Sequence, residues 1–275
     1  MHTLTKSLAL SLLLLLSACG GQTGFFPFIN AVKPDVLRYN DTATILIGGK
    51  HLRSNLVVDT AGGCTTPSFA ARSTPEVLVL NCSVKTVGDM PLTIQDNDGK
   101  TLYATTLQVP QPQVVLNTNL GRITLELDPA KTPVTVQNFL NYVRQGYYQN
   151  TLFHRVIPGF VVQAGGYTTG LVKKPGQTPA IELESNKGLS NLRGTLAMAR
   201  TNAPNSATSE FFINLVDNTT LDYRNTSNPG YAVFGRVIDG LSIADTMATQ
   251  STGTVNGFND VPTQDIVITS AVQTR

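Results

Sequence analysis

Apolar and polar residues alternate strictly along Gly121-Arg122-Ile123-Thr124-Leu125-Glu126-Leu127, and Val114-Val115-Leu116 stands just upstream across Asn117-Thr118-Asn119. A period of two sends successive side chains to opposite faces, so this stretch predicts a hairpin-like strand pair with one wet face. After Thr132-Pro133 the period changes. Val136, Phe139, Leu140 and Val143 recur at spacings of three and four. That predicts an amphipathic helix with Thr132 as N-cap and Pro133 in its first position, running to about Gln145 and stopping at Gly146. Further strands are predicted at 152–156, 160–165, 194–199, 210–214, 232–237 and 266–271, and a second short helix at 241–248. Two helices against about eight strands suggest a closed barrel with helices over its open ends.

The first part of the chain shows no helical period. Short β-rich runs at 43–47, 56–58, 77–80 and 91–95 are followed by Gly48-Gly49, Gly62-Gly63, Asn81 and Asp96-Asn97-Asp98-Gly99. Runs at this spacing predict a small β-sandwich over 25–110. Val109-Pro110-Gln111-Pro112-Gln113 then punctuates the chain; alternating prolines favour a stiff, extended connector, which places the domain boundary there and a second domain at 114–275. Composition agrees with a mainly β protein: 23 Gly and 15 Pro supply turns, and 41% hydrophobic residues suffice for a core. The 20 Lys and Arg against 18 Asp and Glu leave +2 with no long block of one sign, so no nucleic-acid partner is expected. His2, His51 and His154 are far apart, and neither a metal nor another cofactor is expected.

Residues 1–6 are polar and positively charged, and residues 8–16 form an apolar run too short to cross a bilayer as a stable helix. Together they fit a secretory signal. Leu16-Ser17-Ala18-Cys19-Gly20 resembles the lipobox of bacterial lipoproteins. The resemblance implies removal of a signal peptide at 1–18, lipid on Cys19, a tether at 19–24, and a place at the bacterial cell envelope. With no acidic residue after Cys19, the outer membrane facing the periplasm is preferred. Cys64 and Cys82 are then left as a pair in an oxidising compartment, where a disulfide is expected, two buried thiols being the other reading. The sandwich stretch resembles immunoglobulin-like domains of the IPT/TIG type through Val32-Lys33-Pro34, Gly48-Gly49-Lys50-His51-Leu52 and the two cysteines. Such domains bind partners or act as spacers.

The most specific segment is Phe153-His154-Arg155-Val156-Ile157-Pro158-Gly159-Phe160-Val161-Val162-Gln163-Ala164-Gly165-Gly166. Arg155 in it is a fixed cation beside Phe153, with Phe160, Met198, Phe211 and Phe212 in an apolar, aromatic surround. Neither an activated serine, a cysteine with a base, nor a carboxylate pair accompanies it, which argues against hydrolysis. Three more motifs follow in order: Gly194-Thr195-Leu196-Ala197-Met198-Ala199-Arg200, Ser206-Ala207-Thr208-Ser209-Glu210-Phe211-Phe212-Ile213-Asn214, and Gly230-Tyr231-Ala232-Val233-Phe234-Gly235-Arg236-Val237. With these the region from about 114 to 275 resembles the cyclophilins, peptidyl-prolyl cis/trans isomerases.

The resemblance implies an eight-stranded antiparallel barrel capped by two helices, proline-containing polypeptides as substrates, and no cofactor. By it, Arg155 is the catalytic arginine that donates towards the prolyl nitrogen, and Gln163 holds that arginine and touches substrate backbone. Phe160, Val161, Phe212 and Leu221 are the walls of the proline pocket. Arg200 and Thr201, with Ala199 beside them, pair with bound peptide, and Tyr231 stands where many eukaryotic members have histidine. Three positions depart from the pattern. Glu210 replaces a glutamine and is expected to pair with Arg155 or Arg200. Thr220 replaces a large aromatic residue, which predicts weaker inhibition by cyclosporin. Val161 replaces methionine. A different class of function stays open at this stage: a catalytically weak, proline-peptide-binding or adhesive lipoprotein.

Overall fold

The computed structural model describes residues 26–275. The expected signal peptide, Cys19 and the tether lie outside the described residues.

The N-terminal region holds strands β1 (Phe28–Pro34), β2 (Thr42–Lys50), β3 (Val57–Asp59), β4 (Cys64–Phe69), β5 (Val77–Val84), β6 (Gly88–Gln95) and β7 (Thr101–Val109). They form a four-stranded sheet in the order β1-β2-β5-β4 and a three-stranded sheet in the order β3-β6-β7. Alternation turns Ile45 and Ile47 of β2 and Leu78, Leu80 and Cys82 of β5 inward. They meet Met90, Leu92 and Ile94 of β6 and Leu107 and Val109 of β7 in one core. Cys64 and Cys82 are bridged, with their Cα atoms 5.4 Å apart. The cysteines lie 18 residues apart, and a loop of that order closed in the unfolded chain contributes about 3 kcal/mol.

Gly48-Gly49 does not end β2 but lies within it. A side chain at Gly49 would place its Cβ 2.0 Å from the Phe28 carbonyl oxygen, so glycine is what lets β1 close on β2. Strands β1, β4 and β7 escaped the periodicity. β4, for example, buries only Cys64 at its start, and its ladder to β5 holds it in the sheet.

The C-terminal region contains β8 (Gln113–Thr118), β9 (Gly121–Leu127), α1 (Pro133–Arg144), β10 (Thr151–Ile157), β11 (Val161–Ala164), β12 (Tyr167–Thr168), β13 (Val172–Lys173), β14 (Thr195–Met198), β15 (Phe211–Asn214), a single 3-10 turn (Thr219–Leu221), β16 (Val233–Asp239), α2 (Leu241–Met247), β17 (Thr252–Val255), β18 (Phe258–Pro262) and β19 (Val267–Gln273). Eight of these strands close into a barrel in the order β10-β11-β15-β14-β16-β9-β8-β19. Closure leaves the barrel without an unpaired edge. Val136, Phe139 and Leu140 of α1 and Ala244 and Met247 of α2 pack into the same core as Leu116, Ile123, Leu125, Phe153, Phe211 and Phe234. Phe139 sits among the rings of Tyr148, Phe211 and Phe234, at centroid distances of 5.1, 5.3 and 5.1 Å.

The start of α1 corrects the local reading. Thr132 makes no side-chain bond to the helix; its hydroxyl donates to the Asp128 carbonyl at 3.2 Å. The cap is Glu184, a buried carboxylate that accepts from the Val134 and Thr135 N–H groups at 3.2 and 2.8 Å and from the Thr135 hydroxyl at 2.7 Å. A negative charge at this end meets the positive pole of the helix. The connector is likewise more than a spacer, since the Pro112 carbonyl accepts from the Leu127 N–H at 2.9 Å.

The two regions touch. Tyr39, between β1 and β2, is buried with the barrel's core residues, and its carbonyl accepts from Arg144 Nη2 at 2.9 Å and Gln273 Nε2 at 3.3 Å. No helix among the described residues is long and apolar enough to cross a membrane.

Candidate active site

The outer wall of the barrel at β10, β11, β15 and β14 sorts its side chains by strand alternation. On β15, Phe211 and Ile213 enter the core, whereas Phe212 faces the other way and joins Val161, Ala197 and Val233 in a separate apolar cluster. Phe153 and Met198, expected near the cation, also belong to the core. They support the wall from behind.

β10 breaks the alternation. Phe153 pairs with Ala164 and Arg155 with Gln163, so His154 is an extra residue on this strand. A bulge of this kind re-aims the side chains that follow it. It explains why Phe153 and Val156, three residues apart, are both in the core. It also leaves Arg155 directly across from Gln163.

In front of the apolar cluster lies a pocket of about 160 Å³. Phe160, Val161, Phe212 and Leu221 form its greasy walls, Ala199 and Tyr231 close one side, and Arg155, Gln163 and Arg200 stand at its polar rim. The Tyr231 ring meets Phe212 edge-on at 5.6 Å and carries the Arg200 guanidinium at 4.7 Å from its centroid. Arg200 is spent on structure: its Nε donates to the Gly230 carbonyl at 2.9 Å and its Nη1 to the Thr201 carbonyl at 2.8 Å. Gly230, at φ +61°, approaches the Leu221 carbonyl so closely that a Cβ would sit 2.5 Å from it, so only glycine brings Tyr231 and Leu221 together. Asp222 fixes the same corner by accepting from Ser190 and from the backbone and side chain of Asn191. Burial alone would raise its pKa, but these bonds and the nearby Arg224 charge hold it below the usual aspartate value.

Arg155 is less encumbered. Its Nη1 donates to Gln163 Oε1 at 3.4 Å, and its Nε lies 3.8 Å from Asp260 Oδ2 of β18. Its Nη2 has no hydrogen-bond partner among the described residues. One nitrogen of the guanidinium is thus available as a donor beside an apolar hollow. Gln163 is held from behind, its Nε2 donating to Glu210 Oε2 at 2.9 Å.

The expected pairing of Glu210 with Arg155 or Arg200 does not occur. Its carboxylate lies 3.3 Å from Nε2 of the buried His154, because the bulge turns that ring towards β15. Gly166 makes the room, as a Cβ there would fall 2.6 Å from the Glu210 carboxyl carbon. Burial works to raise the Glu210 pKa. The bond and electrostatic pull of His154, the Gln163 bond and the Lys173 ammonium outweigh it and leave the group below the ordinary glutamate value. Glu210 and Thr201 line a neighbouring polar hollow of about 270 Å³, which shares Gln163, Ala199 and Arg200 with the first pocket. Asp260 had no signal in the sequence, since a lone aspartate in a turn-rich stretch looks like a solvated loop residue.

Residues 113–273 match the family described as cyclophilin type peptidyl-prolyl cis-trans isomerase/CLD. The chain is 48% identical over 158 residues to peptidyl-prolyl cis-trans isomerase A of Dickeya dadantii, a match covering 58% of this chain and 82% of that protein. It is also 48% identical over 159 residues to peptidyl-prolyl cis-trans isomerase B of Escherichia coli, covering 57% of this chain and 96% of the relative. Among solved structures, a Cryptosporidium parvum cyclophilin type isomerase determined in the presence of the dipeptide Ala-Pro superposes with a TM-score of 0.50 at 30% identity, over 59% of this chain and 99% of that one.

Proposed function

This chain belongs to the cyclophilin-type peptidyl-prolyl cis-trans isomerases and catalyses rotation about X–Pro bonds; we propose that it does so with Arg155 as the catalytic cation, on exported proteins at a bacterial cell envelope. The barrier to this rotation, about 18–20 kcal/mol, comes from amide resonance. As the bond twists, the prolyl nitrogen becomes pyramidal and keeps its lone pair. A donor aimed at that lone pair binds the twisted state better than either planar one, which is what lowers the barrier. The unclaimed Nη2 of Arg155 is that donor. Phe160, Val161, Phe212 and Leu221 take the proline ring, Gln163 and Ala199 face the substrate backbone, and Arg200, Thr201 and Tyr231 shape the flanking groove. The observation that carries this reading is a guanidinium hydrogen-bonded through Nη1, ion-paired at Nε and without a partner at Nη2 among the described residues, at the rim of an apolar pocket.

The test is the cis/trans exchange rate of a short Ala-Pro peptide. Arg155→Ala is expected to lower kcat/KM about 100-fold, the order seen when one preorganised donor is removed. Equal rates for the two proteins would remove Arg155 from the catalytic role. Thr220 is exposed on the 3-10 turn beside Leu221, so cyclosporin is expected to inhibit weakly. Thr220→Trp should tighten inhibition in the same assay, and an unchanged inhibition curve would refute this account of the rim.

The N-terminal region supports an IPT/TIG-like immunoglobulin domain. Its strand orders correspond to the A-B-E-D and C-F-G sheets of the seven-strand immunoglobulin sandwich. Its bridge, however, joins the neighbours β4 and β5 of one sheet. Lipid on Cys19 would tie this domain to the membrane, and the stretch from Cys19 to Phe26 reaches at most about 25 Å when extended. Labelled fatty acid should enter the wild-type chain and not Cys19→Ser; equal labelling of both would remove the anchor from the proposal.

A further inference from the structure

Among the described residues, Asp260 is the one carboxylate that the structure sets against the Arg155 side chain, and it reaches there from outside the barrel. It belongs to the β17–β18 hairpin, which packs against β10 without joining the barrel ladder. Three observations make the placement specific. The hairpin is anchored: Val261 and Pro262 are buried, and Phe258 meets the Tyr167 ring edge-on at 5.0 Å, which in turn lies 4.8 Å from His154. Asp260 itself has a left-handed backbone, φ +60°, a conformation that aspartate and asparagine adopt more readily than other residues with a Cβ. Its Oδ2 lies 3.8 Å from Arg155 Nε, whereas Gln163 holds Nη1.

We propose that Asp260 is a positioning residue for the isomerisation, holding the Arg155 guanidinium by its Nε so that Nη2 stays directed at the prolyl nitrogen. The inference rests on Arg155 being the catalytic cation. Long arginine side chains have many rotamers, and a single neutral contact at 3.4 Å restrains them weakly. A second restraint on a different nitrogen defines the plane as well as the position of the group. Both partners are about two-fifths exposed, so water and salt weaken the pair and its effect is modest.

Asp260→Asn is the clean probe, because asparagine tolerates the left-handed backbone as well as aspartate does and only the charge is lost. With the full chain and an Ala-Pro peptide, this variant is expected to lower kcat roughly three- to five-fold at low salt, with KM within two-fold of wild type and an unchanged melting temperature. Added salt should bring the wild-type kcat down towards the variant, whose own kcat stays flat. A hairpin that only props the fold would not give that salt response. Wild-type kcat in Asp260→Asn, or the same salt response in both proteins, overturns the inference. Arg155→Ala keeps the two proposals apart. If it retains full activity, the role of Arg155 fails; if it loses activity while Asp260→Asn does not, only the role of Asp260 fails. Adding Asp260→Asn to Arg155→Ala should change nothing further, since the restraint then has nothing to hold.

Discussion

The sandwich and the barrel are both antiparallel β structures, yet they are held in different ways. The sandwich core is aliphatic: Ile45, Ile47, Leu78, Leu80, Leu92 and Ile94 fill it, and Phe69 and Tyr103 only pack at its margin. Its two sheets have free edges, and a disulfide ties edge strand β4 to β5. The barrel has no free edge and no disulfide among the described residues. Its core is built around a cluster of rings, and most of its buried polar groups are paired, as with the Tyr148 hydroxyl donating to the Ser209 carbonyl at 2.9 Å; Nδ1 of His154 is an exception. Closure sets every register, so a bulge at one residue has a defined outcome elsewhere. That is what a site needing an aimed cation requires.

This contrast can be broken at three points. Cys64→Ala with Cys82→Ala should destabilise the sandwich by about 3 kcal/mol and leave isomerase activity untouched; denaturant unfolding followed alongside activity would show it, and a parallel loss of activity would mean that the regions depend on each other through Tyr39. Glu184→Ala removes the cap of α1 and should cost the barrel about 1–2 kcal/mol. An unaltered barrel transition would show that the helix is held by packing alone.

The smallest effect concerns acid. The Glu210 pKa is lowered in the folded state. Its contribution to stability is therefore complete above the unfolded glutamate value of about 4.3 and is lost as pH falls through the folded one. Wild type should lose more stability than Glu210→Gln below about pH 4, and the two should run parallel at neutral pH. Coinciding acid curves would remove Glu210 from the account.

Helix α1 was legible, because Val136, Phe139, Leu140 and Val143 repeat at the helical period and are buried as that period requires, and α2, expected at 241–248, spans Leu241–Met247. So were the barrel strands with strong alternation. The nine residues that line the first pocket came from resemblance to the family, and the structure brings them together. Alternation alone would not have separated Phe212 from Phe211, since both are apolar and only the direction of β15 tells pocket from core. The β17–β18 hairpin was missed because its residues are mostly exposed and carry little hydrophobic pattern.

The amino-acid sequence by itself determined where both helices and the strongly alternating strands lie, that they fall into two regions, and that the second resembles a prolyl isomerase. Periodicity and motifs are local, and the chain carries them wherever it folds. The tertiary structure decided the partners of the polar groups: Glu184 at the start of α1, Glu210 with His154 and Gln163, and Asp260 with Arg155. Each pair spans tens of residues, and a hydrogen bond depends on a few tenths of an ångström that only closure of the barrel and the bulge in β10 establish.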